Sequence, residues 1–127
     1  MDIDYMNKTA DNNHNITEVK DKASKFLITK KDRNKTTFLN YRTSINYFIY
    51  YLTNIANVEA INNDNIENLL VNFQNALLNG FHYKTEASER IVKVKSLGVN
   101  THIRRTKTFL NKCFKLNPAV NKLPVNT

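Results

Sequence analysis

The feature that most constrains this chain is the stretch Asn100 to Leu116, NTHIRRTKTFLNKCFKL, because a helix of this sequence has two very different faces. At about 100° per residue, the apolar side chains and one threonine fall on one face. These residues are Ile103, Thr106, Phe109, Leu110, Cys113, Phe114 and Leu116. The other face consists of Arg104, Arg105, Lys107, Thr108, Asn111, Lys112 and Lys115. Five of these residues are positively charged and none is negatively charged. The stretch is therefore predicted to pack on a core with one face and to present a cationic surface with the other.

The predicted helix has clear limits in the sequence. Asn100 or Thr101 can accept hydrogen bonds from the free N–H groups of its first turn. Asn117-Pro118 is expected to end the helix, because the residue before a proline is displaced from α-helical backbone angles. The prediction is a helix over about 100–116.

The charge of the whole chain agrees with an anionic partner. Ordinary solvated helix faces mix both signs of charge in i,i+4 pairs, whereas this face carries one sign only. The formal net charge is +8 and the sequence pI is about 9.6. Nucleic acid is the first candidate partner, and a merely solvated surface is the alternative.

Length and composition limit the class of protein further. A chain of 127 residues is long enough for one domain with a real core. It contains no apolar run of ~18 residues, so no helix that spans a membrane is predicted. It opens without a charged, apolar and small-residue leader, so we expect an intracellular, cytoplasmic protein. The single cysteine, Cys113, lies on the apolar face and is interpreted as a packing residue.

Three further segments with apolar residues at steps of three and four predict three more helices, near 17–30, 36–55 and 64–79. Their apolar stripes contain Val19, Ala23, Phe26 and Leu27; Phe38, Tyr41, Ile45, Phe48, Leu52 and Ile55; and Ile66, Leu69, Leu70, Phe73 and Leu77. Together with the helix at 100–116, they predict an all-α fold, a four-helix bundle without a sheet.

Polar residues indicate where these helices begin and end. Thr17 is a possible N-cap of the first helix, and the hydroxyl of Thr36 is one for the second. Asp64 and Glu67 have the spacing of a capping box at the start of the third helix. Gly80 can end that helix in a left-handed conformation.

The remaining segments predict the domain organisation. Residues 1–15 are polar and Asn/Asp-rich, which is typical of a disordered tail. Residues 81–99 lack a clear period and are interpreted as a loop, or a loop with one extra helical turn. The helical domain is predicted to span 16–117, and 118–127 to be a linker or tail.

The C-terminal half of the second helix is apolar almost all round, from Tyr47 to Leu52. Its aromatic and β-branched residues would also suit a strand, but the segment is longer than ordinary strands. It is expected either to lie at the centre of the bundle or to dock another protein.

Positive charge is concentrated in two parts of the chain. Residues 17–42 contain eight Lys or Arg and three acidic residues. Residues 43–83 contain no Lys or Arg and three acidic residues, and residues 84–127 contain ten Lys or Arg and two acidic residues. In a compact bundle, the N-terminal part of the second helix and the last helix can lie side by side. The candidate DNA-binding residues are therefore Lys35, Thr36, Thr37, Arg42, Thr101, Arg104, Arg105, Thr108 and Lys112.

The sequence contains no recognisable catalytic or metal-binding pattern. His14, His82 and His102 are far apart and lack ligands at metal-site spacing, so no metal is predicted. Two glycines provide no phosphate-binding loop, no nucleophile has an activating partner, and no cofactor is expected. His102 and Arg105 fit an H-x-x-R pattern, which we interpret as a coincidence within an amphipathic helix.

Four segments together resemble the N-terminal core-binding, SAM-like domain of tyrosine recombinases of the phage-integrase type. They are SKFLITKKDRNKTTFLNYRTSINYFIYYL (24–52), INNDNIENLLVNF (61–73), VNTHIRRTKTFLNKCF (99–114) and Asn117-Pro118. Each segment is a weak signal, and their order and spacing carry the resemblance, which covers about residues 17–120.

The resemblance implies a DNA-binding domain that forms half of a clamp around a recombination core site, in DNA integration or a mobile element. Its second and fourth helices, here 36–42 and 101–112, would approach the major groove. In that family the catalytic Arg, Lys, His/Trp and Tyr residues belong to a separate C-terminal domain, so this chain is expected to have no enzymatic activity. The expected partners are double-stranded DNA, other integrase protomers and the chain's own catalytic domain.

Two other functions remain open. A protein-interaction module would use the apolar band from Tyr47 to Leu52, and its positive charge would serve only solubility. A small RNA-binding protein would need exposed aromatic platforms, whereas most aromatic residues here lie at core spacing.

Overall fold

A computed structural model of the chain describes residues 13–125. It has four α-helices, α1 Ile16–Lys31, α2 Lys35–Tyr50, α3 Ile66–Asn79 and α4 Ser96–Phe114. It also has four short strands, β1 His14–Asn15, β2 Ala60–Ile61, β3 Phe81–Lys84 and β4 Glu89–Val92. The strands pair antiparallel as β1–β2 and β3–β4, in two separate sheets. The prediction of an all-α bundle without a sheet is therefore wrong, and the fold is a small mixed α/β fold.

The first sheet involves the end of the predicted N-terminal tail. Residues 1–12 of that tail lie outside the described residues, but His14 pairs with Ile61 and Asn15 with Ala60. His14 is buried, and its ring lies 4.6 Å from that of Phe114. Two-residue strands carry no periodic signal that a sequence pattern could reveal.

The second sheet is a β-hairpin within the segment predicted to be a loop. Phe81 and Tyr83 point into the core while His82 and Lys84 are exposed, which is the alternation of a half-buried strand. Thr85 closes the turn, because its N–H donates to Ser88 O at 2.8 Å. Phe81 pairs with Val92 at the open end of the hairpin.

The helices begin at residues other than those predicted. Asn15 caps α1 by accepting from Glu18 N at 2.8 Å, so the cap at Thr17 is wrong. Asn34 caps α2 by accepting from Thr37 N at 3.1 Å, so the hydroxyl cap at Thr36 is also wrong. In both cases an asparagine two residues before the threonine has the extended backbone that an N-cap requires.

At α3 the capping box predicted for Asp64 and Glu67 does not form. The side chain of Asn62 instead accepts from Asp64 N at 2.9 Å and from Asn65 N at 3.0 Å. Gly80 follows the helix with φ of +97°, a positive value that favours glycine, although its ψ of 141° is not that of the left-handed helix.

Helix α4 begins one turn earlier than predicted, so Asn100 and Thr101 lie inside it rather than at its cap. Gly98 lies in its first turn, where a Cβ atom would come within 2.4 Å of Val94 Cγ1. The helix ends at Phe114, since Lys115 adopts left-handed angles with φ of +56°. Its N–H still donates to Asn111 O at 3.0 Å, as at many helix C-termini.

The core lies between the four helices. Helix α2 ends in a π-helical turn, Tyr51–Ile55, and packs against α1 and α4, while α3 packs against α4. Phe48, Phe73 and Phe109 are fully buried at the centre of the core. The Phe48 and Phe73 rings lie 5.3 Å apart, and those of Phe26 and Phe109 lie 5.5 Å apart.

None of the helices between residues 13 and 125 is both long enough and apolar enough to cross a bilayer.

Candidate nucleic-acid interface

The outer face of α4 is determined by what the helix buries. Ile103, Phe109 and Leu110 face the core, so Arg104 and Lys112 on the opposite side are exposed, as predicted from the helical period. The half-buried Thr101 and Thr108 flank them on this side. Their hydroxyls donate to Leu97 O and Arg104 O, both at 3.1 Å, and so have only acceptor capacity left for a ligand.

The first of two grooves beside this face lies between α4 and the C-terminal segment, which we define as residues 117–123. Its volume is about 390 Å³. Four of the residues that line it are cations: Arg104, Lys107, Lys112 and Lys122. The others are Gln74, Asn100, Ile103, Thr108, Asn111, Asn117, Val120 and Asn121. Cations and side-chain amides therefore dominate the lining, and none of these residues is acidic.

The second groove lies on the other side of α4, between its C-terminal half and α1, with a volume of about 540 Å³. It is lined by Lys22, Lys25, Phe26, Thr29, Lys30, Arg33, Lys112 and Cys113. Lys112 lines both grooves and so connects them into one cationic region. We call the combined set of cations the Lys112 surface; it consists of Lys22, Lys25, Lys30, Arg33, Arg104, Lys107, Lys112 and Lys122.

The cations on the α1 side have internal partners. Lys22 is 3.3 Å from Glu18 Oε2 and donates to Cys113 O at 3.1 Å. Lys25 pairs with Asp21 at 3.1 Å. Exposed ion pairs of this kind contribute only ~0–1 kcal/mol, so a phosphate can replace the carboxylate at little cost.

The cations on the α4 side differ. In the region from residue 13 to 125, no hydrogen bond, ion pair or aromatic stacking engages the side chains of Arg104, Lys107, Lys112 and Lys122. Exposed Arg and Lys without a partner carry their full charge to the surface and retain all their donors. They are the most available anion-binding groups around the two grooves.

Arg105 is turned toward α2 rather than fully outward. It is half-buried, and its Nη1 donates to Ser44 Oγ at 3.4 Å. The same Ser44 oxygen lies 2.7 Å from His102 Nδ1.

The surroundings of this junction shift the pKa values of both residues. Burial lowers the pKa of Arg105, and the charge of the neighbouring Arg104 lowers it further, while Tyr41 raises it. Burial, aided by the charge of Arg105, lowers the pKa of His102 to about 4, so His102 is neutral at physiological pH. The H-x-x-R residues thus meet at the junction with α2.

Arg42, the candidate arginine of α2, is not on the same side as the candidate residues of α4. Ser44 faces α4, and Arg42 lies two positions earlier, about 200° around the helix, so it points away. The Arg42 guanidinium lies 5.4 Å from the centre of the Phe38 ring, and Lys31 lies over the same ring. The structure therefore does not bring Arg42 into line with Arg104 and Lys112. Neither groove beside α4 is lined by Lys35, Thr36, Thr37 or Arg42.

The cations that border α4 come instead from α1 and the turn after it, and the sequence pattern did not predict this. Lys22, Lys25 and Thr29 follow one another at steps of three and four along one side of α1, and Arg33 continues this spacing in the turn just beyond the helix. That spacing was visible in the sequence. Which neighbour the side faces depends on tertiary packing, which the pattern does not contain.

The apolar band from Tyr47 to Leu52 is largely covered by the β3–β4 hairpin. The rings of Tyr47 and Tyr50 lie 5.0 and 4.8 Å from that of Tyr83. Arg90 lies over the Tyr47 and Tyr83 rings and donates to the Tyr47 hydroxyl. A protein partner would therefore find little of this band exposed.

The three histidines have separate surroundings. His14 contacts Glu18 at 3.0 Å, His82 contacts Glu89 at 2.6 Å, and His102 contacts Ser44. Among the described residues, no group of three or more His, Cys, Asp or Glu is placed to hold a metal ion.

Comparisons of the chain with models of protein families, with curated proteins and with solved structures find no match. A functional assignment therefore depends on geometry and charge.

Proposed function

We propose that this chain binds double-stranded DNA through the Lys112 surface. The observation that carries the proposal is that Lys112 connects two cation-lined grooves, one on each side of the exposed face of α4. The major groove of B-DNA is about 12 Å wide and admits one α-helix, with a phosphate backbone on either side. A helix flanked by cations on both sides matches that arrangement.

The residues have different roles in this proposal. The Arg104 guanidinium has no partner among residues 13–125 and can either read a guanine edge with two hydrogen bonds or grip a phosphate. Lys112 and the lysines of α1 hold phosphates, since an ammonium is a compact charge without a fixed fork. Lys35, Thr36, Thr37 and Arg42 line neither groove, so they would reach DNA only beyond the main contact.

We further propose, on the resemblance alone, that the chain serves as the core-binding domain of a phage-integrase-type tyrosine recombinase. Cleavage and strand exchange would then belong to a separate catalytic domain, and this domain would hold the recombination site together with other protomers. Such a protein would act in the cytoplasm of a bacterium, where chromosomal and phage DNA are accessible.

The proposal is tested by titrating a labelled random-sequence duplex with the chain at several salt concentrations. Phosphate binding predicts a steep linear fall of log K with log salt. Selection from a random duplex pool should then enrich one site, as a sequence-specific domain requires. Absence of binding at low salt would contradict the proposal and favour a protein-interaction module. Binding that responds little to salt would do the same, because an apolar contact is not weakened in this way.

A further inference from the structure

The C-terminal segment has no helix or strand, yet three side-chain hydrogen bonds hold its backbone. Asn100 uses both ends of its amide: Oδ1 accepts from Leu123 N at 2.8 Å and Nδ2 donates to Leu123 O at 3.0 Å. Gln74, which is buried, donates to Asn121 O at 2.9 Å. These amides come from α4 and α3 and fix the segment on both sides of Lys122.

Apolar packing supports the same position. Pro118 is buried, and Val120 and Leu123 pack against the core. Asn121 and Lys122, between them, are exposed. The segment thus presents one charged side chain at the edge of the groove, opposite Arg104 and Lys107.

We infer that the C-terminal segment is a fixed side of the DNA-binding groove and that Asn100 positions Lys122 to hold a phosphate. This inference rests on the proposed DNA binding. The phosphate would belong to the DNA backbone that lies between α4 and the C-terminal segment. The lysines of α1 would hold the DNA backbone on the other side of α4. Asn100 would be a positioning residue, since its own amide is occupied by Leu123.

A double-mutant cycle on the full chain tests the inference. Lys122→Ala should lower duplex affinity by about five- to tenfold at 0.1 M salt and reduce the salt slope by about one, as loss of one phosphate contact does. Asn100→Ala removes no charge, yet should lower the affinity and the salt slope by about the same amounts. The double variant should be no weaker than either single variant, because both lose the same contact.

Asn111→Ala is the matched control for Asn100→Ala. Asn111 lines the same groove, but no hydrogen bond within residues 13–125 joins its side chain to the segment. Gln74→Ala gives an independent way to release the segment, should Asn100→Ala perturb α4. Hydrogen exchange of the Leu123 N–H reports the release directly and should speed up in Asn100→Ala but not in Asn111→Ala.

Two results would overturn the inference while leaving the proposed function intact. In one, Arg104→Ala and Lys112→Ala weaken binding but Lys122→Ala does not. In the other, Lys122→Ala and Asn100→Ala weaken binding in a fully additive way. If none of these charge-removing variants alters affinity, the proposed DNA binding itself fails.

Discussion

Arginine and lysine side chains have opposite surroundings in the hairpin and on the outer face of α4. In the hairpin, Arg90 lies over the Tyr47 and Tyr83 rings and donates to a tyrosine hydroxyl. On α4, the side chains of Arg104 and Lys112 make no ion pair, cation–π contact or hydrogen bond in the part of the chain that the structure describes. The first cation is used to hold the fold together, whereas the other two are left available for a ligand.

The difference separates stability from binding. Substitutions in the hairpin cluster, which we define as Tyr47, Tyr50, Phe81, Tyr83 and Arg90, should change the free energy of unfolding and leave DNA affinity alone. Substitutions in the Lys112 surface should do the reverse. The predictions that follow run from the largest expected effect to the smallest, and each can break this separation.

The largest effect is expected for Phe81→Ala. Phe81 is buried between the rings of Tyr47 and Tyr50, so its loss leaves a cavity that the hairpin cannot fill. Removing a buried phenylalanine costs about 3–5 kcal/mol of unfolding free energy. Urea unfolding should show this loss, while the remaining folded protein binds duplex like the parent. A lower affinity in the folded fraction would show that the hairpin takes part in binding.

Stability should also fall as the pH is lowered from about 6.5 to about 4. His102 has a pKa of about 4 in the folded chain, because burial and Arg105 disfavour its charged form. The unfolded chain, with a histidine pKa of about 6.5, therefore binds a proton that the folded chain resists. The loss from this group is at most about 3 kcal/mol and is complete near pH 4.

The control for this pH effect is His102→Gln, which cannot take up the proton. Carboxylates titrate in part of the same range, so the difference between parent and variant isolates His102. Equal slopes of unfolding free energy against pH in both proteins would show that His102 is not held neutral by the junction with α2.

On the Lys112 surface, Arg104→Ala should weaken duplex binding more than Arg105→Ala. Loss of a bidentate base contact by Arg104 costs about 1–3 kcal/mol of affinity. Arg105 is half-buried and bonded to Ser44, so its removal should mainly affect stability. Duplex titrations of the two folded variants decide between them. The reverse order of affinities would place the DNA contact at the α2 junction rather than on the outer face.

The smallest effect is expected for Arg90→Ala. The contacts of Arg90 with the Tyr47 and Tyr83 rings and its hydrogen bond are together worth about 1 kcal/mol. Lys84→Ala, an exposed cation on the same hairpin, should change neither stability nor affinity. If Arg90→Ala instead weakened DNA binding, the hairpin would belong to the interface.

The four helices could be predicted from the sequence because each has an apolar stripe that repeats over three or more turns. The exposed face of α4 followed from the same period, since burial of Ile103 and Leu110 determines where Arg104 and Lys112 point. The β1–β2 sheet was missed because two-residue strands are too short to display a period of two. The hairpin was missed although Phe81–Lys84 alternates, because its partner strand Glu89–Val92 does not. The N-caps at Asn15 and Asn34 were each missed by two residues, where several polar side chains compete for the same role.

The candidate site could be predicted only where it lies on one helix. Arg104 and Lys112 needed no knowledge of neighbouring helices. The partner of α4 did need such knowledge: the sequence favoured the start of α2, whereas α1 supplies Lys22 and Lys25. Lys122 was assigned to a tail because its segment has no regular structure. Its position depends on the long-range hydrogen bonds of Asn100 and Gln74, which no local pattern contains.

The central claim, that the Lys112 surface binds DNA phosphates, is tested most directly by comparing two double variants with the same change in charge. Arg104→Ala/Lys112→Ala removes two cations from the surface, and Lys20→Ala/Lys84→Ala removes two exposed cations that line neither groove. The measurement is duplex affinity as a function of salt. The first pair should flatten the plot of log K against log salt by about one unit if Arg104 reads a base and by about two units if it holds a phosphate, and the second pair should leave its slope unchanged. Equal flattening by both pairs would contradict the claim, because binding would then follow net charge and not this surface.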